Sequence, residues 1–504
     1  MRQSRHSVPT VFAALGQTSH AAARSLALPA ARTAALPLLL PLALLIALPA
    51  ALPSVLHAQQ PGFTWTQVAS TGPQIRYAHA MAYDSGRNRT VLFGGVASGI
   101  GLIDDTWEWN GATAAWTLVA STGPQSRHDH AMAYDSGRNR TVLFGGTIIG
   151  GNGIGPIGDT WEWNGATAAW TLVASTGPQS RQDHAMAYDS GRNRTVLFGG
   201  TINGGNVSVL GDTWEWNGAT AAWTQVASTG PQSRYLHAMA YDSGRNRTVL
   251  FGGVASGLDF SETWEWNGAT AAWTQVAVTG PQSRFYHAMA YDSGRNRTVL
   301  FGGDHGNGYL GDTWEWNGAT AAWTQVASTG PQSRGYHAMA YDSGRNRTVV
   351  FGGYNGNNSL GDTWEGGVNA SASAYGTGCG SPALTISPGA LPRINTTAQA
   401  LLTNIPASIA FVDLGWSNTT TGIFALPLSL ASFGLPGCLL QRSFDSGSLP
   451  VTSTGVGTAT FSVPLPNFRG LIGLRLYLQG WAIAPGYNPG GAIVSNGLAW
   501  LIGS

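Results

Sequence analysis

The sequence predicts an all-β protein: a six-bladed β-propeller closed by its own N-terminal strand, followed by a smaller β-sandwich domain. Three observations carry the prediction. One unit of about 50 residues recurs six times. Each copy holds four short strand-like runs separated by turn signals. The first copy is preceded by an orphan fourth run that the last copy lacks.

The N-terminal 58 residues stand apart from the repeats. They carry Arg2, Arg5, Arg24 and Arg32 but no acidic residue, since the first in the chain is Asp84. An apolar run from Ala34 to Leu48 leads to the small-residue stop Leu56-His57-Ala58. A basic region, an apolar core and a small-residue stop, in that order, predict a signal peptide over residues 1–58. Pro37, Pro41 and Pro49 argue against a stable spanning helix, so no membrane span is expected after cleavage. The expected location is secreted or cell-surface.

Composition narrows the function. All 26 basic residues are Arg, which excludes Schiff-base and phosphate-loop lysines. A formal net charge of +1 gives no electrostatic footprint for nucleic acid. Both cysteines, Cys379 and Cys438, lie in the last quarter, and export makes a disulfide between them the expected state.

The string HAMAYDSGRNRTV begins at His79, His130, His184, His237, His287 and His337, at intervals of 51, 54, 53, 50 and 50 residues. Between FGG and the next acidic residue lie 9, 12, 11, 8, 8 and 8 residues. Subtracting these lengths from the five intervals leaves 42 each time, so all length variation sits in one loop. In the first copy the strand runs are 65–68, 79–83, 90–95 and 105–109. The constant turns DSGRNR and NGATAA supply Asp, Gly and Asn-Gly signals. Four antiparallel strands per period describe one propeller blade, which places the propeller at residues 59–366. Trp65–Val68 precedes the first His run, while the last copy stops at Asp362–Glu365. The opening strand therefore completes the sixth blade and removes the open edge.

The pattern resembles the Kelch-repeat family over residues 65–365. The resemblance rests on Arg-x-x-His before the first run, the Gly94-Gly95 doublet, the Trp of the third run and the Trp opening the fourth. It implies a propeller used mainly for binding, with galactose oxidase among the few enzymes sharing the scaffold. That oxidase chemistry needs a cysteine cross-linked to a ligand tyrosine within the propeller. Residues 59–378 contain no cysteine.

The copies differ chiefly in the loop and in the two residues before each repeated His. The dipeptides are Tyr77-Ala78, His128-Asp129, Gln182-Asp183, Tyr235-Leu236, Phe285-Tyr286 and Gly335-Tyr336. In an up-and-down blade alternate connections emerge together, so loop and dipeptide share one face and the constant turns the other. The candidate contact residues are Tyr77, His128, Asp129, Gln182, Asp183, Tyr235, Leu236, Phe285, Tyr286 and Tyr336. They join a ring of arginines, Arg76, Arg127, Arg181, Arg234, Arg284 and Arg334, of residue types that suit hot spots and sugars. Each arginine also has a bland role open to it: an ion pair with an acid of a neighbouring blade. The six repeated histidines read as core or hydrogen-bonding groups, and the 17 repeat tryptophans as packing. Asn-Arg-Thr in each turn matches a glycosylation sequon incidentally.

Residues 367–504 lose the repeat and read as a β-sandwich with no His and two acids, Asp413 and Asp445. The leading expectation is a non-catalytic scaffold that binds an extracellular protein or glycan, with no cofactor or metal. A carbohydrate-active hydrolase, lyase or epimerase at the same face, and a structural surface protein without a ligand, are the alternatives.

Overall fold

The computed structural model describes residues 62–504 apart from 151–152, 203–207, 408, 423, 446–447 and 456. The expected signal peptide lies outside the described residues. Among those residues the repeats form six four-stranded antiparallel sheets. The first holds Ala80–Asp84, Arg89–Phe93, Thr106–Asn110 and Ala115–Ala120, paired in that order. In the last sheet Ala338–Asp342, Arg347–Phe351 and Thr363–Val368 are joined by Phe63–Ala69, with Phe63 opposite Val368 and Trp65 opposite Gly366.

The second strand reads TVLF without alternation because both its faces are covered. Val91, Leu92 and Phe93 are fully buried. Ala80, Ala82, Val91 and Phe93 of the first sheet pack on Met132, Leu143 and Trp163 of the second. At roughly 1.5–3 kcal/mol per large apolar side chain, these seams between sheets dominate the favourable terms. They are fastened by polar contacts. The fourth-strand Trp170 donates through Nε1 to Thr106 Oγ1 of the preceding sheet at 2.9 Å, and Trp65 makes the same bond to Thr313 at 2.8 Å.

Two glycines show why the repeat is so uniform. The strand ends at Phe93, so Gly94-Gly95 lies beyond it, in the seam. Gly94 has φ +69°, and a Cβ there would fall 2.8 Å from the Arg127 carbonyl oxygen. Gly95 N–H donates to that oxygen at 2.9 Å. At the other end of the sheet, the guanidinium of Arg87 (in DSGRNR) lies where a Cβ on Gly165 (in NGATAA of the next repeat) would sit, 1.8 Å away. Arg87 also bonds Asp84 at 2.7 Å and Glu108 at 2.5 Å.

Beyond Val368, hydrogen bonding joins eight strands into one antiparallel sheet. Leu449–Gly455 is shared: its first residues pair with Ala410–Gly415 and its last with Thr458–Leu465. Buried residues from both halves, among them Leu402, Phe461, Leu478 and Trp500, form one core. Cys379 and Cys438 are disulfide-bonded. Asp413 pairs with Arg442, and Asp445 accepts from Trp416 N at 2.8 Å, so neither acid of this region is idle.

Candidate functional site

The structure brings the variable dipeptides and variable loops together. Tyr77 pairs with Val96, His128 with Thr147, Gln182 with Thr201, Tyr235 with Val254, Phe285 with Asp304 and Gly335 with Tyr354. The second residue of each dipeptide takes a left-handed backbone, with φ between 56° and 61°. That turn aims six N–H groups at six carbonyls in a cycle. Asp129 donates to Ala78, Asp183 to Asp129, Leu236 to Asp183, Tyr286 to Leu236, Tyr336 to Tyr286 and Ala78 to Tyr336, at 2.9–3.2 Å. These six residues and the six repeated histidines line a cavity of about 120 Å³.

The arginine ring is not part of this lining and needs correction. Arg76, Arg127, Arg181, Arg234, Arg284 and Arg334 are 0% exposed. Arg127 grips Asp159 with both terminal nitrogens (2.6 and 2.9 Å), the Gly145 carbonyl at 2.9 Å and the Gln125 carbonyl at 3.0 Å. Five of the six repeats make this bidentate pair with Asp. The fourth has Glu262 instead, at 2.5 Å from Arg234, with Phe260 stacked 4.0 Å from the guanidinium. Each pair lies within one repeat, not between neighbours. A buried guanidinium tying the start of one sheet to its third strand is scaffold, and it cannot touch a partner.

The histidines are core groups, as their repetition implies. The main chain of a phenylalanine in the neighbouring sheet is the polar group that meets each ring. Each ring stands edge-on to a phenylalanine of the neighbouring sheet, as His130 does to Phe93 at 5.5 Å. Burial, then the adjacent arginine, lowers their pKa values well below the usual range, to about 3 for His237 and His337; the main chain of that phenylalanine, and for His337 also the Asp362 charge, act the other way. All six imidazoles are therefore neutral at pH 7.

Chemical identity is concentrated in the cycle, and it is unequally distributed. Asp129 and Asp183 are neighbours there, and their carboxyl groups share a hydrogen bond. His128 Nδ1 lies 2.5 Å from Asp129 Oδ2, and Gln182 Nε2 donates to Asp183 Oδ2 at 2.9 Å. Burial, followed by the Asp129 charge, raises the Asp183 carboxyl well above the usual carboxylate range. Across the cavity Tyr286 and Tyr336 stack at 3.4 Å, with the Tyr286 hydroxyl donating to that of Tyr336. Tyr77 packs on Tyr336 at 5.7 Å and Phe285 on Tyr286 at 5.2 Å. Leu236 and Ala78 separate the acidic side from the aromatic one.

Several residues of this face escape a reading of the dipeptides alone. Tyr354 lies 5.9 Å from both Tyr77 and Tyr309. Gly335 makes room for them, since a Cβ there would fall 2.8 Å from the Tyr309 ring. Ile100, Ile149, Ile154 and Leu258 stand exposed in the loops. Their signal was available as loop residue identity, which loop length does not reveal. Among the described residues no cluster of three or more His, Cys, Asp or Glu could hold a metal ion.

The KLHDC2/KLHL20/DRC7 Kelch-repeats domain matches residues 55–232 and 190–369, which together cover more than half of the chain. The chain belongs to the Kelch-repeat family. Membership makes the repeat region a β-propeller and points to a protein-interaction scaffold. Similar curated proteins include Mei4-dependent protein 6 of Schizosaccharomyces pombe, 24% identical over 209 residues, and Adagio-like protein 3 of Oryza sativa subsp. japonica, 29% identical over 176. These alignments cover 38% and 33% of this Kelch chain, and only 30% and 27% of the relatives' own lengths. The solved structure of YjhT is 16% identical with a TM-score of 0.48, over 59% of this chain and 96% of its own. No helix among the described residues is long and apolar enough to cross a membrane.

Proposed function

We propose that this Kelch protein is an exported, non-catalytic scaffold that binds an extracellular protein through the face bearing the variable loops. The propeller is read as six blades sealed by Phe63–Ala69. The pairing of that strand with the last sheet and the unbroken cycle of backbone bonds from Ala78 to Tyr336 support this. The C-terminal region is read as a sandwich in an accessory role, since the two halves of its sheet share one core.

The observation that carries the reading is exposed aliphatic surface where the copies differ. Ile100, Ile149, Ile154 and Leu258 are 56–73% exposed, and all four belong to the variable loops. Such residues at loop tips, around a recessed aromatic and acidic centre, form a protein contact surface. Immobilised protein should capture a partner from the extracellular fraction of its source. Replacing these four residues by Ser should abolish capture with the melting temperature unchanged. Replacing the exposed constant-turn residues Thr113, Thr167 and Thr220 by Ala should leave capture intact. Equal capture by both variants would sink the assignment of the face.

A further inference from the structure

We propose that the cavity enclosed by the Ala78–Tyr336 cycle is a cation site that receives the ammonium end of a lysine side chain offered by the protein partner. The inference rests on the variable face being the contact surface, and it names what that face recognises at its centre.

Three independent features converge there. Asp129 and Asp183 form the acidic wall. Burial and the Asp129 charge raise the Asp183 carboxyl well above the usual carboxylate range, and a cation set against the two carboxyl groups relieves that repulsion. The Tyr286–Tyr336 pair forms the opposite wall, where π faces and hydroxyl oxygens attract a cation. The six histidines also line the cavity; only 6% exposed and neutral, they add no positive charge that would repel a cation. An ammonium brings three donors for the carboxyl and hydroxyl oxygens. The arginines are already neutralised by their acids, and the basic group beside the acidic wall is His128, at 2.5 Å from Asp129 Oδ2. A cavity of about 120 Å³ is well above the ~10–15 Å³ that admits a single water, so there is room for an ammonium head. An anion would meet the carboxyl pair, and an apolar group would leave the carboxyl and hydroxyl oxygens without a donor.

The test is calorimetric titration of the whole protein at pH 7.5 with n-butylammonium, which carries the lysine side-chain head, and with 1-butanol as neutral counterpart. Saturable binding at least tenfold tighter for the amine is expected. The Asp129→Asn/Asp183→Asn double variant should lose at least tenfold in amine affinity while still melting cooperatively. If that variant does not fold, Leu236→Lys tests the same point by tethering an ammonium at the cavity: it should abolish amine binding, whereas Leu236→Met should retain it. Equal affinity for amine and alcohol, or amine binding indifferent to both the double variant and Leu236→Lys, overturns the cation site. If amine binding fails while the loop variant above still loses its partner, only the cation site falls. If both fail, the face itself was misassigned.

Discussion

Lowering the pH from 6.5 to 5 is expected to strip most of the stability from the Kelch region. The six repeated histidines are buried, without an acidic partner on the ring, and held neutral far below the pH at which a free histidine charges. In the unfolded chain they titrate near 6.5. Below that pH the unfolded state binds protons that the folded state refuses, so stability is complete above about 6.5 and falls as the pH drops. Each site contributes about 1.4 kcal/mol per pH unit, and six acting together approach 8. Over 1.5 units that sum rivals the roughly 5–15 kcal/mol of a whole domain. The Asp105, Asp212, Asp312 and Asp362 carboxyls do not offset it, because pairing with the buried arginines outweighs their burial and lowers their pKa values; the raised Asp183 carboxyl opposes the trend, as one site against six. Guanidinium unfolding at pH 7.5, 6.5, 5.5 and 5.0 should show a steepening fall in midpoint. A His130→Asn variant should show a shallower one. A midpoint flat across that range would mean that the imidazoles are hydrated or charged in the native state.

The second large effect concerns the arginine ring. Arg127→Ala is expected to cost about 3–5 kcal/mol, the range for breaking a buried pair by removing one partner. It strands Asp159 with only the Trp161 indole at 2.7 Å and leaves the Gly145 and Gln125 carbonyls without the guanidinium. Arg140→Ala, a few residues further on, should cost under about 1 kcal/mol, because its guanidinium meets only the Arg138 and Asn139 carbonyls near the surface. Denaturant titration at pH 7.5 separates the two. Similar losses would mean that the buried pair adds nothing beyond an ordinary surface arginine.

These contrasts mark what the sequence made legible. The repeat period, the position of the variable loop and the orphan Trp65 strand are visible in residue order, because near-identical copies expose the strand grammar directly. Burial is not visible in the same way. Arg127 and Arg140 both sit beside turn or loop residues, and only the fold shows that one is buried within its own repeat while the other reaches solvent. The Gly94-Gly95 doublet looks like a strand ending, yet its necessity comes from the next repeat's Arg127 carbonyl, 33 residues after Gly94 in the chain. Asp129 and Asp183 look like separate blade-specific residues 54 positions apart. Successive repeats adjoin in the fold, which brings those two acids together and makes Tyr286 and Tyr336 one stack. Loop length does not distinguish Ile100, Ile149, Ile154 and Leu258, because contact chemistry resides in residue identity.

The central claim is that this protein binds through its variable face, where exposed loop residues surround five cavity side chains held by a uniform frame. The first repeat supplies the control, since Ala78 occupies the same left-handed position with no functional group. A variant carrying Asp129→Ala, Asp183→Ala, Leu236→Ala, Tyr286→Ala and Tyr336→Ala makes all six positions alike. Capture of the extracellular partner by this variant, measured beside its melting temperature, is the most direct test. The account predicts a cooperative melt and no capture. Capture at the level of the unaltered protein, from an equally folded variant, would contradict it.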